Sequence, residues 1–372
     1  MHDHRVIVIG AGPAGLGTAI ALQELGVSDV QVIDQGEIGH SFRQWHPEIR
    51  FISPSFTTNG FGFPDLNAIT PNSSPTYGLH TEHPSGRQYA RYLEECAAAY
   101  ALPVLTHTTV TKIQRFGDAF RLETNRGEMR AKYVISAVGD FSFPATRGIR
   151  GAELGRHYAQ IASYRPFTRQ EDPVVIIGGG ESGFDAAIKL AALDQRSVLI
   201  TDVAAIDSVV PDPSIGLSPY TYQRYTAIQE AVSLWRGQRV TTITQTAQSP
   251  YTVHLEDGQA VHTRQVPILA TGFASVDAPL QTDLFAHRGD RAELNQLDES
   301  TVTPNLFMVG PEVTHEGVIL CYIYKYRQRF AVVAAEIAQR EGITPNAKTL
   351  AVYQANHMYL TDLADCAVDC VC

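Results

Sequence analysis

The sequence predicts an α/β protein with two parallel sheets, in which the chain of the second sheet is inserted into that of the first. Two observations lead to this prediction. A short β-branched run, a glycine-rich loop and an apolar helix follow one another at 5–25, and again at 173–193. Each copy is then followed by a strand and an aspartate. A continuous apolar strand leading into a glycine-rich turn and a helix is typical of a parallel βαβ unit.

The two copies have similar elements in the same order. The first has RVIVIG at 5–10, GAGPAG at 10–15, a helix over 14–25 and a strand over 30–33 that ends at Asp34. The second has PVVIIG at 173–178, GGGESG at 178–183, a helix over 182–193 and a strand over 198–201 that ends at Asp202. Gly10 to Asp34 and Gly178 to Asp202 both span 24 positions. The equal spacing predicts that the two aspartates hold the same place.

Each copy is followed by short strands typical of an antiparallel meander. The first meander occupies 103–140, with strands over 104–106, 109–116, 120–124, 129–131 and 133–138. The second occupies 239–273, with strands over 240–246, 252–256 and 266–271. We therefore predict one domain formed by 1–160 plus 270–341, a second domain inserted at 161–269, and a C-terminal helix and cysteine tail at 342–372.

The first glycine loop has the pattern of a dinucleotide site. Gly10, Gly12 and Gly15 satisfy G-x-G-x-x-G between a strand and a helix. The first glycine makes the turn, the second lets the backbone approach a pyrophosphate, and the third lets helix and strand pack closely. The helix N-terminus favours phosphate, and Asp34 can accept hydrogen bonds from a ribose diol. The fold class is therefore α/β with two Rossmann-like, three-layer ββα dinucleotide-binding domains and a cysteine-bearing C-terminal tail.

The second loop repeats the pattern with Gly178, Gly180 and Gly183. An acid at Asp202 would repel the 2′-phosphate of NADPH, and the segment TDVAAID that follows the strand has no Lys or Arg. The sequence therefore predicts NADH rather than NADPH at this site. The alternative is that Asp202 only caps a loop and that a basic group such as Arg224 arrives from elsewhere.

Composition excludes several other classes. The net charge of -10 argues against a nucleic-acid partner, because phosphates require clustered Lys and Arg. No segment approaches the roughly 20 continuous apolar residues of a membrane helix. The N-terminus enters a strand at once, so we expect no signal peptide and a cytoplasmic location. No C-x-x-C or H-E-x-x-H pattern occurs, so we expect no structural metal.

The chain resembles the flavoproteins with two dinucleotide-binding domains, in the pyridine nucleotide-disulfide oxidoreductase superfamily. Its motifs are similar to those of bacillithiol disulfide reductase-like, flavin-containing monooxygenase-like and thioredoxin reductase-like enzymes. These motifs are GAGPAG at 10–15, FRQW at 42–45, AVGDFSFP at 137–144, GGGESG at 178–183, ATGF at 270–273 and NLFMVGPEV at 305–313.

The resemblance implies FAD in the first domain and a nicotinamide dinucleotide in the second. The FAD contacts that it implies are Gly10, Gly12, Pro13, Ala14, Gly15, Asp34, Gln35, Arg43, Trp45, Val110, Gly139, Gly310 and Pro311. The nicotinamide-coenzyme contacts that it implies are Gly178, Gly180, Glu181, Ser182, Gly183, Asp202 and Gly272.

The sequence also departs from these relatives. The inserted domain lacks the C-x-x-C of thioredoxin reductases, and Ala14 stands where bacillithiol disulfide reductases are expected to have a cysteine. Gly310–Pro311 stands where these relatives have Gly-Asp, whose aspartate contacts the ribityl chain of the flavin. Glu312 is the alternative residue for this contact. The monooxygenase linker fingerprint is matched only loosely at 154–164, where we expect His157 to be a surface residue.

Cysteines are the candidate groups for the second half of the reaction. Cys366, Cys370 and Cys372 crowd the C-terminus, where thiols could pass electrons from flavin to a disulfide or bind a soft metal ion. The alternative is a tail without a role in turnover. Cys321 lies in a helix predicted over 318–340, either near the flavin or in the core. Candidate proton donors are His80, His83, Tyr220, Tyr222, Tyr225, His315 and Tyr322.

Together these patterns predict an FAD-dependent NAD(P)H oxidoreductase that passes hydride from nicotinamide to flavin. The final acceptor would be a disulfide, on a small molecule or a protein, or another thiol-linked group. One alternative is a flavin-dependent monooxygenase of a small substrate. A second alternative is an FAD protein reduced by a partner rather than by a nicotinamide. We expect a homodimer, the commonest symmetric assembly.

Overall fold

The computed structural model describes residues 2–56, 64–168, 171–206, 216–246, 250–274, 283–289, 291–315 and 318–363. Contacts divide the chain into two compact units. The first unit comprises Met1–Gln44, Ser53–Ser142 and Ser275–Cys372, and the second comprises Trp45–Ile52 and Phe143–Ala274. The second unit thus begins earlier than the predicted residue 161 and takes in the separate segment 45–52. The assignment of the units to FAD and to a nicotinamide coenzyme stays a prediction.

The elements are numbered along the chain. The strands are β1 (His2–Ile9), β2 (Val30–Ile33), β3 (Val104–Leu105), β4 (Val110–Phe116), β5 (Ala119–Thr124), β6 (Gly127–Ser136), β7 (Arg156–His157), β8 (Val174–Ile177), β9 (Ser197–Ile200), β10 (Val232–Trp235), β11 (Val240–Thr244), β12 (Tyr251–Leu255), β13 (Ala260–Thr263), β14 (Ile268–Leu269), β15 (His287–Arg288), β16 (Arg291–Ala292), β17 (Leu306–Met308), β18 (Thr314–His315) and β19 (Val318–Ile319). The α-helices are α1 (Pro13–Glu24), α2 (His40–Arg43), α3 (Pro75–Leu79), α4 (Gly86–Ala99), α5 (Glu181–Ala191), α6 (Pro219–Thr226), α7 (Ile323–Tyr326), α8 (Phe330–Arg340) and α9 (Ala347–Ala355).

The first unit is built on a sheet with the parallel order β3-β2-β1-β6, and β17 also pairs in parallel with β6. The antiparallel strands β5 and β4 continue the sheet beyond β6. Ile9 pairs with Ile33 on one side and with Ser136 on the other, and Ser136 pairs with Met308. The parallel strands therefore end together. In open α/β sheets, this carboxyl edge is where ligands bind.

Helix α1 lies between the sheet of the first unit and helix α8. It begins at Pro13, a residue that suits the first helical position because its missing N–H would have no partner there. Almost every side chain from Pro13 to Leu22 is buried, as expected for a helix covered on both faces. At Gly17, a Cβ would lie 2.2 Å from the ring of Phe330, so glycine sets the close approach of α1 and α8.

The second unit has three layers. A parallel sheet with the order β10-β9-β8-β14-β7 lies between helix α5 and the antiparallel sheet β11-β12-β13. Successive residues of β8 face opposite layers, as the period of a strand requires. Val174 and Ile176 pack into one core with Phe184 of α5, whereas Val175 and Ile177 pack into the other. The predicted α/β fold class is confirmed.

Two details of the predicted meander in the first unit are wrong. The segment 104–106 does not belong to it, because β3 pairs in parallel with β2 as an edge strand. The predicted strands 129–131 and 133–138 form one strand, β6, which runs through Lys132. The polar Lys132 does not interrupt the strand, since its Nζ lies at the surface and donates to Glu341 Oε1 at 2.6 Å.

The predicted helix over 318–340 is also wrong at its start. Val318 and Ile319 pair antiparallel with His315 and Thr314, and the chain is still extended at Tyr322. Helical structure begins at Ile323, passes through a 3₁₀ turn at Arg327–Arg329 and continues as α8. β-Branched residues fit a strand when a partner is available, and only the fold supplies that partner.

Among the described residues, no helix is both long and apolar enough to cross a membrane.

Candidate functional site

The first glycine-rich loop joins β1 to α1 at the carboxyl edge of its sheet. Gly10 has a φ of +114°, and a Cβ there would lie 2.3 Å from the carbonyl oxygen of Ala137. At Gly15, a Cβ would lie 1.9 Å from the carbonyl oxygen of Gly10. Gly12 differs, because no described atom lies within 4 Å of its Cβ position. The first and third glycines are thus required for the turn and for packing, while the second leaves an open face.

The surroundings of this open face suit the phosphates and ribose of a dinucleotide. Gly12 is the N-cap of α1 and provides no side-chain cap, so the first N–H groups of the helix remain available for an anion. Asp34 follows β2, and its Oδ2 accepts a hydrogen bond from Ala11 N at 2.7 Å. Its Oδ1 accepts another from Gly36 N at 2.8 Å. These bonds hold the carboxylate beside the loop, where a ribose diol can donate to it. The residues fit FAD.

The second glycine-rich loop has the same geometry between β8 and α5. Gly178 has a φ of +113°, and a Cβ there would lie 2.2 Å from the carbonyl oxygen of Ala270. At Gly183, a Cβ would lie 2.0 Å from the carbonyl oxygen of Gly178. Around Gly180 no described atom lies within 4 Å of the Cβ position. The residues therefore also fit a dinucleotide in the second unit.

The predicted equivalence of Asp34 and Asp202 is wrong by one residue. Ile9 pairs with Ile33 in the first unit, and Ile177 pairs with Ile200 in the second. The residue that follows the second strand is therefore Asp34 in one unit and Thr201 in the other. Helix α5 has 11 residues where α1 has 12, so the second strand ends one position earlier relative to its glycine loop. The equal spacing of Gly10–Asp34 and Gly178–Asp202 therefore does not reflect equivalent positions.

Side-chain contacts agree with the register. A Cβ at Gly179, which corresponds to Ala11, would lie 2.4 Å from Thr201 Oγ1. Thr201 thus lies against the second residue of its loop, as Asp34 does in the first unit. Thr201 Oγ1 accepts a hydrogen bond from Val203 N at 3.1 Å, and Asp202 is exposed one position further along.

Glu181 opens helix α5 but is directed to helix α6. Its Oε1 accepts a hydrogen bond from Ser218 N, and its Oε2 accepts one from the hydroxyl of Thr221. Burial raises the pKa of the Glu181 carboxyl, against the effect of these hydrogen bonds. Ser182, the next predicted contact, lies in the same first turn of α5. Glu181 therefore fixes α6 to the helix that begins at the glycine loop.

A partly buried polar network surrounds Asp185 on the same helix. Asp185 Oδ2 accepts a hydrogen bond from the hydroxyl of Tyr158 at 2.7 Å, and its Oδ1 lies 3.0 Å from Lys189 Nζ. Lys189 Nζ also donates to Glu48 O at 3.1 Å, so it fastens the segment 45–52 within the second unit. Arg224 lies 3.4 Å from Asp185 Oδ1. Arg224 therefore belongs to this network.

His157 is a buried residue, so its predicted place on the linker surface is wrong. Its side chain is 5% exposed, and its Nε2 lies 2.9 Å from the carbonyl oxygen of Gly272. Burial lowers the pKa of His157, although the contact with this carbonyl opposes the shift. Gly272, with a φ of +74°, lies in the loop after β14. His157 therefore holds a loop at the carboxyl edge of the second sheet.

Two more segments meet the first glycine loop at its edge. Gly139 follows β6 with a φ of +66°, and Gly310 follows β17 with a φ of +114°. A Cβ at Gly310 would lie 3.3 Å from the Cβ of Ala14, so the Gly310–Pro311 turn lies beside the start of α1. Asp140 follows Gly139, and burial raises the pKa of its carboxyl. Gln35 is exposed directly after Asp34.

Three other predicted FAD contacts are buried or have structural partners within their own units. Arg43 forms an ion pair with Glu94 and donates from Nε to Ile38 O at 3.0 Å. Val110 is buried at the start of β4. Trp45 belongs to the second unit, where its ring centroid lies 5.2 Å from that of Phe51.

The candidate catalytic cysteines are described only in part. Cys321 is a half-buried cysteine just before Tyr322, the N-cap of α7. Cys366, Cys370 and Cys372 lie outside the described residues. Cys96 is buried in α4, as expected for a packing residue, and burial raises the pKa of its thiol.

The fold also assembles a network that the sequence pattern does not reveal. Asp298 is completely buried, and its Oδ1 lies 2.6 Å from Nε2 of buried His315. Arg329 donates to the same carboxylate at 2.9 and 3.1 Å. Arg329 also donates to the carbonyl oxygen of Leu360, which anchors the C-terminal segment. The three side chains lie on separate segments, with Asp298 17 positions before His315 and 31 before Arg329, so no helix or strand period links them.

Comparisons with known proteins identify the family. A family model described as pyridine nucleotide-disulphide oxidoreductase matches residues 7–310. Bacilliredoxin reductase from Bacillus subtilis is 27% identical over 200 residues, which cover 54% of this chain and 57% of that protein. A Baeyer-Villiger monooxygenase from Streptomyces coelicolor is 32% identical over 247 residues, which cover 64% of this chain and 45% of that protein. The chain spans about half the length of the curated relatives that it matches.

Solved structures share the fold over nearly the whole chain. Bacillithiol disulfide reductase from Staphylococcus aureus has a TM-score of 0.75 at 18% identity, with 92% of this chain and 100% of that chain covered. A flavin-containing monooxygenase from Stenotrophomonas maltophilia has a TM-score of 0.71 at 18% identity, with 91% and 99% covered. The family model spans both glycine loops, and the predicted superfamily is confirmed. The chain belongs to the pyridine nucleotide-disulphide oxidoreductase family.

Proposed function

We propose that this chain is an FAD-dependent NAD(P)H oxidoreductase, with FAD in the first unit and the nicotinamide coenzyme in the second. One observation carries the proposal. Each unit has its own strand–loop–helix junction in which the middle glycine, Gly12 or Gly180, leaves an open face at a helix N-terminus. One dinucleotide requires one such junction, so two junctions indicate two dinucleotides.

The chain positions the two cofactors, and the cofactors supply the redox chemistry. When bound, FAD supplies a two-electron acceptor for the hydride of NAD(P)H. The N-termini of α1 and α5 would bind the two pyrophosphates, because both helices begin without a side-chain cap. Asp34 would accept hydrogen bonds from the adenosine ribose of FAD. The turns at Gly139 and Gly310 would border the remainder of the FAD, since both lie at the same edge as Gly10.

We further propose a disulfide, or another thiol-linked group, as the final electron acceptor. The overall reaction consumes one NAD(P)H, one proton and one disulfide, and it yields NAD(P)⁺ and two thiols. The similarity to bacilliredoxin reductase supports this choice. The candidate thiols are Cys321 and the tail cysteines Cys366, Cys370 and Cys372.

The C-terminal segment before the tail supports a role for these cysteines. Met358 and Leu363 are buried in the first unit, and Leu360 N donates to Gln328 O at 3.0 Å. The tail therefore begins at a fixed point of the unit that we assign to FAD. This anchor tethers the tail cysteines to the unit that we assign to FAD.

A monooxygenase is the second candidate function. The similarity to a Baeyer-Villiger monooxygenase favours it, with the highest identity among the relatives described above. Both candidates begin with reduction by NAD(P)H and differ in what reoxidises the flavin. An FAD protein reduced by a partner differs already in the first step.

Anaerobic mixing tests the first step. The full chain loaded with FAD is mixed with NADH and, separately, with NADPH, and the visible absorbance of the flavin is followed. We expect at least one coenzyme to bleach the flavin within a turnover time. Failure of both would contradict the proposed function and favour reduction by a partner protein.

A second mixing step tests the acceptor. A panel of low-molecular-weight and protein disulfides is added to the bleached enzyme without oxygen, and we expect the absorbance to return. Replacing Cys366, Cys370 and Cys372 together by serine should lower the rate of this return to below about a tenth of wild type, with bleaching unchanged. Cys96→Ser is the matched control. Return of the absorbance only with oxygen and a small substrate would favour the monooxygenase.

A further inference from the structure

The two units provide an internal comparison at the carboxyl ends of three neighbouring strands. Leu105 of β3 pairs with Ile33, and Trp235 of β10 pairs with Ile200. With the pairs Ile9–Ile33 and Ile177–Ile200, this register aligns the strand ends of both units. The first residues past the three strands are Gly10, Asp34 and Thr106 in the first unit, and Gly178, Thr201 and Arg236 in the second.

Backbone hydrogen bonds continue this alignment beyond the strands. Asp34 N donates to Leu105 O at 3.0 Å, and Thr201 N donates to Trp235 O at 2.9 Å. One step further, Thr108 N donates to Asp34 O at 2.7 Å, and Gln238 N donates to Thr201 O at 2.8 Å. Two hydrogen bonds therefore fix the segment that carries Arg236 to the segment that carries Thr201.

The charges at these matched positions are different. The first unit has a carboxylate at Asp34 and a neutral side chain at Thr106, which suits the unmodified ribose of FAD. The second unit has the neutral Thr201 and the exposed guanidinium of Arg236. No ion pair of Arg236 occurs with the residues that the structure describes. A basic side chain at this edge accommodates a 2′-phosphate, whereas a carboxylate in the place of Asp34 would repel it.

We propose that Arg236, beside the neutral and buried Thr201, binds the 2′-phosphate of NADPH, so that the second unit selects NADPH over NADH. This inference rests on the proposed function of the second unit, and it replaces the preference for NADH that the spacing of Asp202 predicts. Arg224, the basic residue considered from the sequence, contacts Asp185 instead. Asp202, the exposed neighbour of Thr201, is acidic and would weaken the binding of a 2′-phosphate.

Equilibrium binding tests the assignment without turnover. Calorimetric titrations of the FAD-loaded full chain with NADP⁺, NAD⁺ and 2′,5′-ADP give three dissociation constants. We expect NADP⁺ to bind about tenfold or more tightly than NAD⁺, because one hydrogen bond between charged groups supplies that difference. Added salt should weaken the binding of NADP⁺ and 2′,5′-ADP more than that of NAD⁺.

Single substitutions test which residues determine the preference for NADP⁺ over NAD⁺. Arg236→Gln should weaken NADP⁺ binding about tenfold and change NAD⁺ binding less than about twofold. Thr201→Asp should likewise weaken NADP⁺ binding, because it restores the carboxylate of the first unit. Asp202→Asn should strengthen NADP⁺ binding, because it removes a negative charge near the 2′-phosphate. Arg239→Gln, an exposed arginine three positions after Arg236, is the matched control and should leave the ratio unchanged.

The possible outcomes separate this inference from the proposed function. Wild-type protein that binds NAD⁺ at least as tightly as NADP⁺ would overturn the inference, as would an Arg236→Gln variant that weakens both coenzymes equally. If NADH nevertheless bleaches the flavin, the proposed function stands. If neither coenzyme binds or bleaches the flavin, both proposals fail together.

Discussion

Each unit has its own glycine loop. The two loops have the same backbone geometry, and the side chains around them differ. Gly10 and Gly178 have nearly identical φ values, and each lies against the carbonyl oxygen of an alanine in the next strand-end loop. Beyond the loops, Asp34 in the first unit corresponds to the neutral Thr201 in the second. Glycine positions are fixed by backbone collisions that any dinucleotide site shares. The residues one strand away have more freedom, so they can distinguish one nucleotide from another.

The loop after β6 in the first unit and the loop after β14 in the second unit show another difference. Ala137–Asp140 in the first unit corresponds to Ala270–Phe273 in the second, with a left-handed glycine third in each. In the second unit the carbonyl of that glycine is held by His157. The first unit has Asp140 in place of Phe273, and burial raises the pKa of its carboxyl. The shared backbone therefore has a different titratable group beside it in each unit, Asp140 within the loop of the first and His157 of β7 against the loop of the second.

The middle glycines should give the largest effects, because a Cβ there would enter the open face. Gly12→Ala should raise the dissociation constant of FAD by about 100-fold, since its Cβ would occupy the place of the pyrophosphate. Gly180→Ala should do the same for NADP⁺ while FAD stays bound. Flavin content after gel filtration and calorimetric titration measure the two effects. Loss of both ligands in one variant would contradict the independence of the sites.

The third glycines should instead affect stability. Gly183→Ala places a Cβ 2.0 Å from a backbone carbonyl oxygen and should lower the free energy of unfolding by about 1–3 kcal/mol or more. Gly15→Ala should act equally on the first unit, where the distance is 1.9 Å. Denaturant unfolding of the FAD-free protein measures the loss. The Gly12→Ala and Gly180→Ala variants are the controls, because no described atom obstructs their Cβ positions.

Substitution of His157 should give the smallest effect, a change in how the free energy of unfolding depends on pH. Burial lowers the pKa of His157 below its usual 6.5, so the unfolded chain binds more protons in the window just below pH 6.5. Its contribution to stability is therefore present above pH 6.5 and is lost as the pH falls through that window. Between about pH 7.5 and about pH 5, the free energy of unfolding should therefore fall less in His157→Gln than in wild type.

The control for this prediction is the same substitution at the exposed His262 of the second unit. His262→Gln should leave the decrease in the free energy of unfolding as large as in wild type. Buried His46 also has a lowered pKa, mainly through desolvation, so part of the dependence should remain in His157→Gln. An unchanged pH dependence in His157→Gln would show that folding does not lower the pKa of this histidine.

The sequence alone determined the two βαβ openings and the fold class of this protein. Apolar strands, the glycine spacing and the helices that follow are local patterns, and chain geometry permits few other structures for them. The same patterns placed Gly10, Gly12 and Gly15, and their counterparts in the second unit, in the loops where the structure has them.

Tertiary structure decided which side chains stand next to one another. One residue fewer in α5 than in α1 moved Thr201 into the place predicted for Asp202, a shift that counting along the chain cannot detect. Arg236 reaches the edge only because β10 pairs with β9, and His157 is buried only because β7 pairs with β14. Strand pairing brings together residues that are distant in sequence, and no local pattern records that register.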